Sequence, residues 1–136
     1  MSGFLTSLRL IDDGDGSRMV LEQPLRYRSD LLAGIVDVQS GFVTDFASIP
    51  KVLWNVLPPH GAYDRPAIVH DKLYQDGTFQ GVAIDRGTAD RVLLEGMKVV
   101  GVSTWQRWAI FAGVRTGGFI AWKHYRESDS EPLSAA

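Results

Sequence analysis

The stretch that decides the fold runs from Ala89 to Gly101 and reads ADRVLLEGMKVVG. Its apolar residues fall at positions i, i+3, i+4, i+7, i+8 and i+11, which is the spacing of one face of an α-helix. Gly101 stands where a glycine commonly follows a helix end. Asp90 lies at the edge of the apolar face, about 20° from Met97 by the helical period. The sequence therefore predicts an amphipathic helix with one half-buried carboxylate.

Working outward toward the N-terminus, a second helix is predicted from about residue 64 to about residue 75. Asp64 is its expected N-cap, Pro66 lies in its first turn, and Asp76-Gly77 closes it. We expect a loop between this helix and Gly87. A shorter helix is predicted to start at Ser48, before Pro50.

Toward the C-terminus, another helix is predicted to begin near Ser103 or Thr104, and Gly117-Gly118 is expected to bend or end it. The apolar stretch from Trp105 to Trp122 contains glutamine and arginine, which makes it too polar to cross a bilayer. A helix packed inside the protein is the better interpretation.

The first third of the chain has the short apolar runs and turn residues of β-strands. Strands are predicted at residues 4–11, 19–21 and 25–27, and residues 35–38 and 42–45 are expected to pair as a hairpin. The fold class is therefore α+β, with a small N-terminal antiparallel sheet followed by about three packed helices. We expect a single domain over residues 1–126 and a polar tail over residues 127–136.

Composition excludes several classes of protein. The 136 residues suffice for one hydrophobic core, and the absence of cysteine excludes disulfides and thiolate metal sites. No signal peptide or transmembrane segment is predicted. The net charge of −2 and the lack of a basic stripe make nucleic acid an unlikely partner. A basic face would require the following residues to gather: Arg26, Arg28, Arg107, Arg115, Lys123 and Arg126.

The candidate chemistry centres on His70-Asp71. His70 and Tyr74 share a helix face, because they are four residues apart, whereas Asp71 points about 100° away. A catalytic histidine needs a group that orients its ring, commonly a carboxylate. Asp90 is the expected partner. The alternatives are a core histidine bonded to a backbone carbonyl and an Asp90 paired with Arg86, four residues earlier.

A divalent metal site is a further hypothesis. Asp45, Asp71, Asp90 and His70 together would suit calcium or another hard or borderline divalent ion, and His60 is a possible additional ligand. Asp45 would serve equally well as a cap of the turn that leads into Ser48.

Several of these residues lie in motifs that resemble an uncharacterised family of phage and prophage proteins. The motifs are GFVTDFASIP at residues 41–50, HDKLY at residues 70–74, Arg86 with Ala89-Asp90 and Met97, and VRTG at residues 114–117. The resemblance covers roughly residues 36–118 and implies an origin in a tailed phage or prophage. A tail, neck or baseplate component, located in the virion or the host cytoplasm and bound to other phage structural proteins, is then expected. In such a component Arg86, Ser48 and Arg115 would join the His70 site as a buried polar network.

The order of an HDxxY motif, an aspartate on the next helix and a later VR motif is also similar to secreted phospholipases of class A-two. That resemblance implies His70 as the general base, Asp71 as a calcium ligand, Asp90 as the orienting group and Tyr74 as support, with a lipid ester as substrate. This chain lacks that family's disulfides and has no glycine-rich calcium loop before His70.

The two interpretations differ in one geometric expectation. An assembly protein would seal the His70–Asp90 pair, whereas a hydrolase would open the pair to a pocket.

Overall fold

The computed structural model describes residues 1–12, 19–44 and 63–130. Short strands come first and helices follow, which confirms the predicted α+β class. The strands are β1 (Gly3–Phe4), β2 (Leu10–Asp12), β3 (Met19–Leu21), β4 (Leu25–Ser29), β5 (Gly34–Val38), β6 (Val43–Thr44), β7 (Thr78–Phe79) and β8 (Val82–Ala83). The helices are α1 (Asp64–Asp76), α2 (Arg86–Val99), α3 (Thr104–Gly117) and α4 (Phe119–Ser130).

The N-terminal strands form two antiparallel sheets, ordered β1-β4-β5 and β2-β3-β6. Strand β4 alternates buried and exposed residues, so Leu25, Tyr27 and Ser29 face the core. The stretch expected as one strand at residues 4–11 is divided between the two sheets.

The predicted hairpin of residues 35–38 with 42–45 is wrong. Strand β5 pairs with β4 over five residues, and β6 pairs with β3. Gly41 has a positive φ of 88°, and its N–H donates to the Leu21 carbonyl over 2.7 Å. Glycine adopts such a φ without steric cost. The turn at Gly41 and its bond to Leu21 direct the chain away from β5 and alongside β3.

Helix α1 runs through the centre of the molecule and is buried along most of its length. Its N-cap is Tyr63, without a side-chain bond, so the predicted capping role of Asp64 is wrong. Asp64 occupies the first turn instead, where a carboxylate favours the helix dipole. Gly77 ends the helix with a φ of 65° and donates its N–H to the Leu73 carbonyl.

Helix α2 begins earlier than predicted, because Asp85 caps it by accepting a 2.7 Å bond from the Thr88 N–H. The expected loop up to Gly87 instead contains the β7–β8 hairpin, whose turn uses the positive φ of Gln80 and Gly81. The apolar face of α2 packs between α1 and α3.

The predicted break at Gly117-Gly118 separates α3 from α4. Helix α4 continues to Ser130, so residues 127–130 of the expected polar tail are helical. The predicted helix at Ser48 and residues 131–136 lie outside the described residues. In the described part of the chain, no helix has the length and apolar composition needed to cross a bilayer.

Gly118, between α3 and α4, lies close to Tyr74 of α1. A Cβ added there would meet the Tyr74 hydroxyl at 2.6 Å and the Val114 carbonyl oxygen at 2.5 Å. Any side chain at this position must therefore push the helix break away from Tyr74.

We expect Gly118→Ala to lower the free energy of unfolding by about 1–3 kcal/mol through overpacking. Urea denaturation measures the loss, and Gly3→Ala is the matched control because a Cβ at Gly3 meets nothing within 4 Å. Equal stability of the two variants would show that Gly118 is not under steric constraint.

Candidate functional site

Asp90 is the centre of the candidate site. Its Oδ1 lies 2.8 Å from His70 Nε2 and 2.6 Å from the Tyr74 hydroxyl, which donates to it. The side chains of His70 and Asp90 are both 0% exposed. The pair joins α1 to α2, because His70 and Tyr74 lie one turn apart on the face of α1 that meets α2.

The other carboxylate oxygen of Asp90 binds two arginines. Arg115 Nη1 donates to Oδ2 over 2.8 Å, and Arg86 Nη1 donates over 3.3 Å. Arg86 also donates to the carbonyl oxygens of Val114 and Arg115, each over 2.9 Å. These carbonyls are at the C-terminal end of α3, where the Val114 carbonyl also accepts from the Gly118 N–H over 2.8 Å. One carboxylate thus holds α1, α2 and α3 together.

The two pairings predicted for Asp90, with His70 and with Arg86, are both present. They involve different oxygens of the carboxylate. The Arg86 contact is not an exposed helix pair, since the Arg86 side chain is 18% exposed and Asp90 is fully buried.

The environment keeps Asp90 ionised. Burial alone would raise the pKa of this carboxyl, but the hydrogen bond and charge of His70, with the bonds from Tyr74 and Arg115, lower the pKa below its ordinary value of 3.8. An ionised carboxylate only accepts hydrogen bonds, so we assign the Nε2 proton to His70. Burial and the bond to Asp90 raise the pKa of Tyr74, which keeps its hydroxyl protonated and donating.

Aromatic packing covers the site from the side of α4. The Tyr74 ring lies 4.2 Å from the His70 ring and meets Trp122 edge to face at 5.2 Å. The contribution of Trp122 was not predicted. Its only sequence signal is its position one turn after the Gly118 break, and that signal does not identify what it covers.

Asp71 belongs to a different side of α1 from His70. It is 1% exposed, and its Oδ2 accepts from Gln75 Nε2 over 3.1 Å. Gln75 also donates to the Val43 carbonyl of β6 over 3.3 Å. The two adjacent residues therefore face different neighbours, as the helical period predicts for consecutive positions.

Only some of the predicted metal ligands lie in the part of the chain that the structure describes. Within residues 1–12, 19–44 and 63–130, no three histidine or carboxylate side chains converge as ligands. Of the predicted residues, Asp45, Ser48 and His60 lie outside the described residues.

Three of the arginines that would have formed a basic face have local partners. Arg26 pairs with Asp37 at 2.7 Å, and Arg115 binds Asp90. Arg126 donates to the carbonyls of α1 at Tyr74 and Gln75.

Neither of two cavities lined by described residues includes His70 or Asp90. One, of about 320 Å³, lies between β5, α1 and the β7–β8 turn. The other, of about 360 Å³, lies between α2 and α3. The site is a packed polar cluster at the helix junction.

We expect the Asp90 carboxylate to make stability pH-dependent. Because its pKa is lower in the folded chain, its contribution is complete above the ordinary aspartate pKa and is lost as pH falls through the native value. Asp90→Asn should lower the free energy of unfolding at pH 7 by about 3–5 kcal/mol. It should also flatten the decline of stability as the pH falls below the ordinary aspartate pKa of 3.8.

Denaturation curves across this pH range measure both effects. Asp37→Asn is the control, because it removes an exposed carboxylate paired with Arg26 and should change stability by less than about 1 kcal/mol. A variant at Asp90 that retained the full acid dependence would contradict the assignment.

A model of the family described as "Protein of unknown function (DUF1353)" matches residues 19–114. That range includes His70, Tyr74, Arg86 and Asp90, and it ends one residue before Arg115. No curated protein and no solved structure gives a significant match. Because the match spans more than half of the chain, the protein belongs to the DUF1353 family.

Proposed function

We propose that the chain is a non-catalytic component of a tailed-phage or prophage particle, in which the Asp90 cluster is a structural lock. The observation that carries this proposal is the complete burial of both His70 and Asp90. A general base must reach its substrate proton directly or through one water molecule. A histidine that is sealed against a carboxylate is better suited to holding helices in place.

The energetics of the cluster favour such a role. Removing one partner of a buried ion pair leaves the other charge uncompensated, which typically costs about 3–5 kcal/mol. That is a large part of the total stability of a domain, about 5–15 kcal/mol. A wrong packing of α3 against α1 and α2 would break the bonds of Arg86 and Arg115 together. The cluster therefore selects one arrangement of the helices.

The surface of α3 and α4 supports a role in assembly. Trp105, Trp108, Phe119 and Ile120 are each at least half exposed. Large apolar side chains in water at this density are typical of surfaces that contact partners. The particle itself is suggested by the resemblance of the motifs to phage and prophage proteins.

Mass spectrometry tests whether the chain is part of the particle. The virions are purified on a density gradient from a lysate of the source phage. We expect the chain to co-purify with the particles at a fixed ratio to the major structural proteins. A chain found only in the soluble fraction, where a replication protein of the same phage serves as the marker, would overturn the proposal.

A calcium-dependent ester hydrolase is the second candidate, and one observation favours it. The bonds from His70 and Tyr74 to a single oxygen of Asp90 are the arrangement that orients an imidazole base. The adjacent Asp71 is the position that the resemblance to phospholipases of class A-two assigns to calcium.

Hydrolysis of micellar phospholipid with and without calcium separates the two candidates. If the cluster is a structural lock, His70→Ala should lower the free energy of unfolding by about 2–5 kcal/mol, and the folded wild type should show no turnover. As a hydrolase, the wild type should turn over with calcium, and the variant should lose at least about 100-fold in kcat/KM. His124→Ala, at an exposed histidine on α4, is the control for both readouts.

A further inference from the structure

The cavity between α2 and α3 has a second set of side chains with an unusual charge balance. Its volume is about 360 Å³, and the turn between β4 and β5 closes one side. Three cationic side chains line it, from Arg91, Lys98 and Arg107, against the single carboxylate of Glu95.

The hydrogen bonds of this carboxylate are made to other groups, not to the cations. Glu95 Oε1 accepts from the Tyr27 hydroxyl over 2.6 Å, and its Oε2 accepts from the Leu31 N–H over 3.0 Å. Both oxygens thus bind the β4–β5 hairpin, one at Tyr27 of β4 and the other at Leu31 of the turn. Among the described residues, the ion pairs include none of the three cations that line the cavity.

Ordinary structural reasons account for the cations only in part. Lys98 lies in the last turn of α2, where a positive charge favours the helix dipole. Arg91 lies mid-helix, beyond the reach of that effect, and its charge is partly offset by the exposed Asp85 carboxylate, with which it interacts electrostatically. Arg107 is held in place by a 3.1 Å bond from Nη1 to the Val102 carbonyl, and its other donors remain for a ligand.

The remaining wall of the cavity is apolar. It consists of Leu31, Leu94 and Trp108, and the Trp108 indole is 52% exposed. An indole at this exposure offers a flat surface for an apolar group. Cationic side chains and an aromatic surface in one cavity match a ligand with both characters.

We propose that this cavity binds a small amphipathic anion, whose carboxylate, sulfonate or phosphate group contacts Arg91, Lys98 and Arg107 while its apolar body packs on Trp108. A volume of about 360 Å³ is within the range of small-molecule sites. The site is separate from the Asp90 cluster, and the proposal does not depend on the function assigned to that cluster.

Fluorescence titration with two probes of the same aromatic skeleton tests the proposal. Anilinonaphthalene sulfonate is anionic, and phenylnaphthylamine is neutral. We expect the anion to bind at least about tenfold more tightly, and added salt to reduce that difference. Equal affinity for the two probes would overturn the proposal.

Substitutions in the cavity lining test whether the anionic probe binds there. Lys98→Glu and Arg91→Glu should each weaken the anionic probe by about tenfold or more, and Trp108→Ala should weaken both probes. Lys123→Glu makes the same charge change at an exposed position of α4 outside the cavity and should alter affinity by less than about twofold. A loss with Lys123→Glu as large as that with Lys98→Glu would show nonspecific attraction and contradict the site.

Discussion

The ionised carboxylate of Asp90, withdrawn from water at the junction of three helices, is the constraint on which the rest of the structure depends. Such a charge is tolerated only with several well-placed donors. Here they come from His70 and Tyr74 of α1, Arg86 of α2 and Arg115 of α3. The helices must therefore cross where these donors meet. The two arginines extend toward the surface, so their excess positive charge remains partly solvated.

The same constraint explains the shape of the chain around the cluster. Arg86 needs the terminal carbonyls of α3 as acceptors, so α3 must end at the cluster. Gly118 ends it there and lets Tyr74 approach. Helix α4 then returns over α1 and brings Trp122 against the Tyr74 ring. The hydrogen bonds of Arg86, the helix break at Gly118 and the contact of Trp122 with Tyr74 thus lie close together around the Asp90 cluster.

The elements that the sequence predicts well are those encoded by local patterns. The apolar face ending at Gly101 predicts α2, and the Gly117-Gly118 pair predicts the division of α3 from α4, because each depends on residues close in the chain. The pairing of β6 with β3 depends on a non-local bond from Gly41 to Leu21, which no short pattern contains. Short strands have too few alternating residues to specify a partner.

The candidate site likewise has one part that local patterns predict and another that depends on packing between distant residues. The helical period places His70 and Tyr74 on one face and Asp90 at the edge of another, and this angular argument predicts which residues can meet. It cannot predict the carbonyls of Val114 and Arg115, because every residue carries a carbonyl and only packing selects those two. The α2–α3 cavity cannot be predicted from a short pattern either, since Leu31 and Lys98 line it together only in the folded chain.

The convergence of four donors on one carboxylate has a consequence for how this chain can diverge. The energies of these contacts are coupled, so the effect of losing Arg115 depends on whether Asp90 is still present. Losing Asp90 first removes the acceptor that all four donors share, whereas replacing the whole set by apolar residues of similar volume can be nearly neutral. Stepwise drift must therefore cross unstable intermediates. The cluster should be inherited, or exchanged, as a single unit.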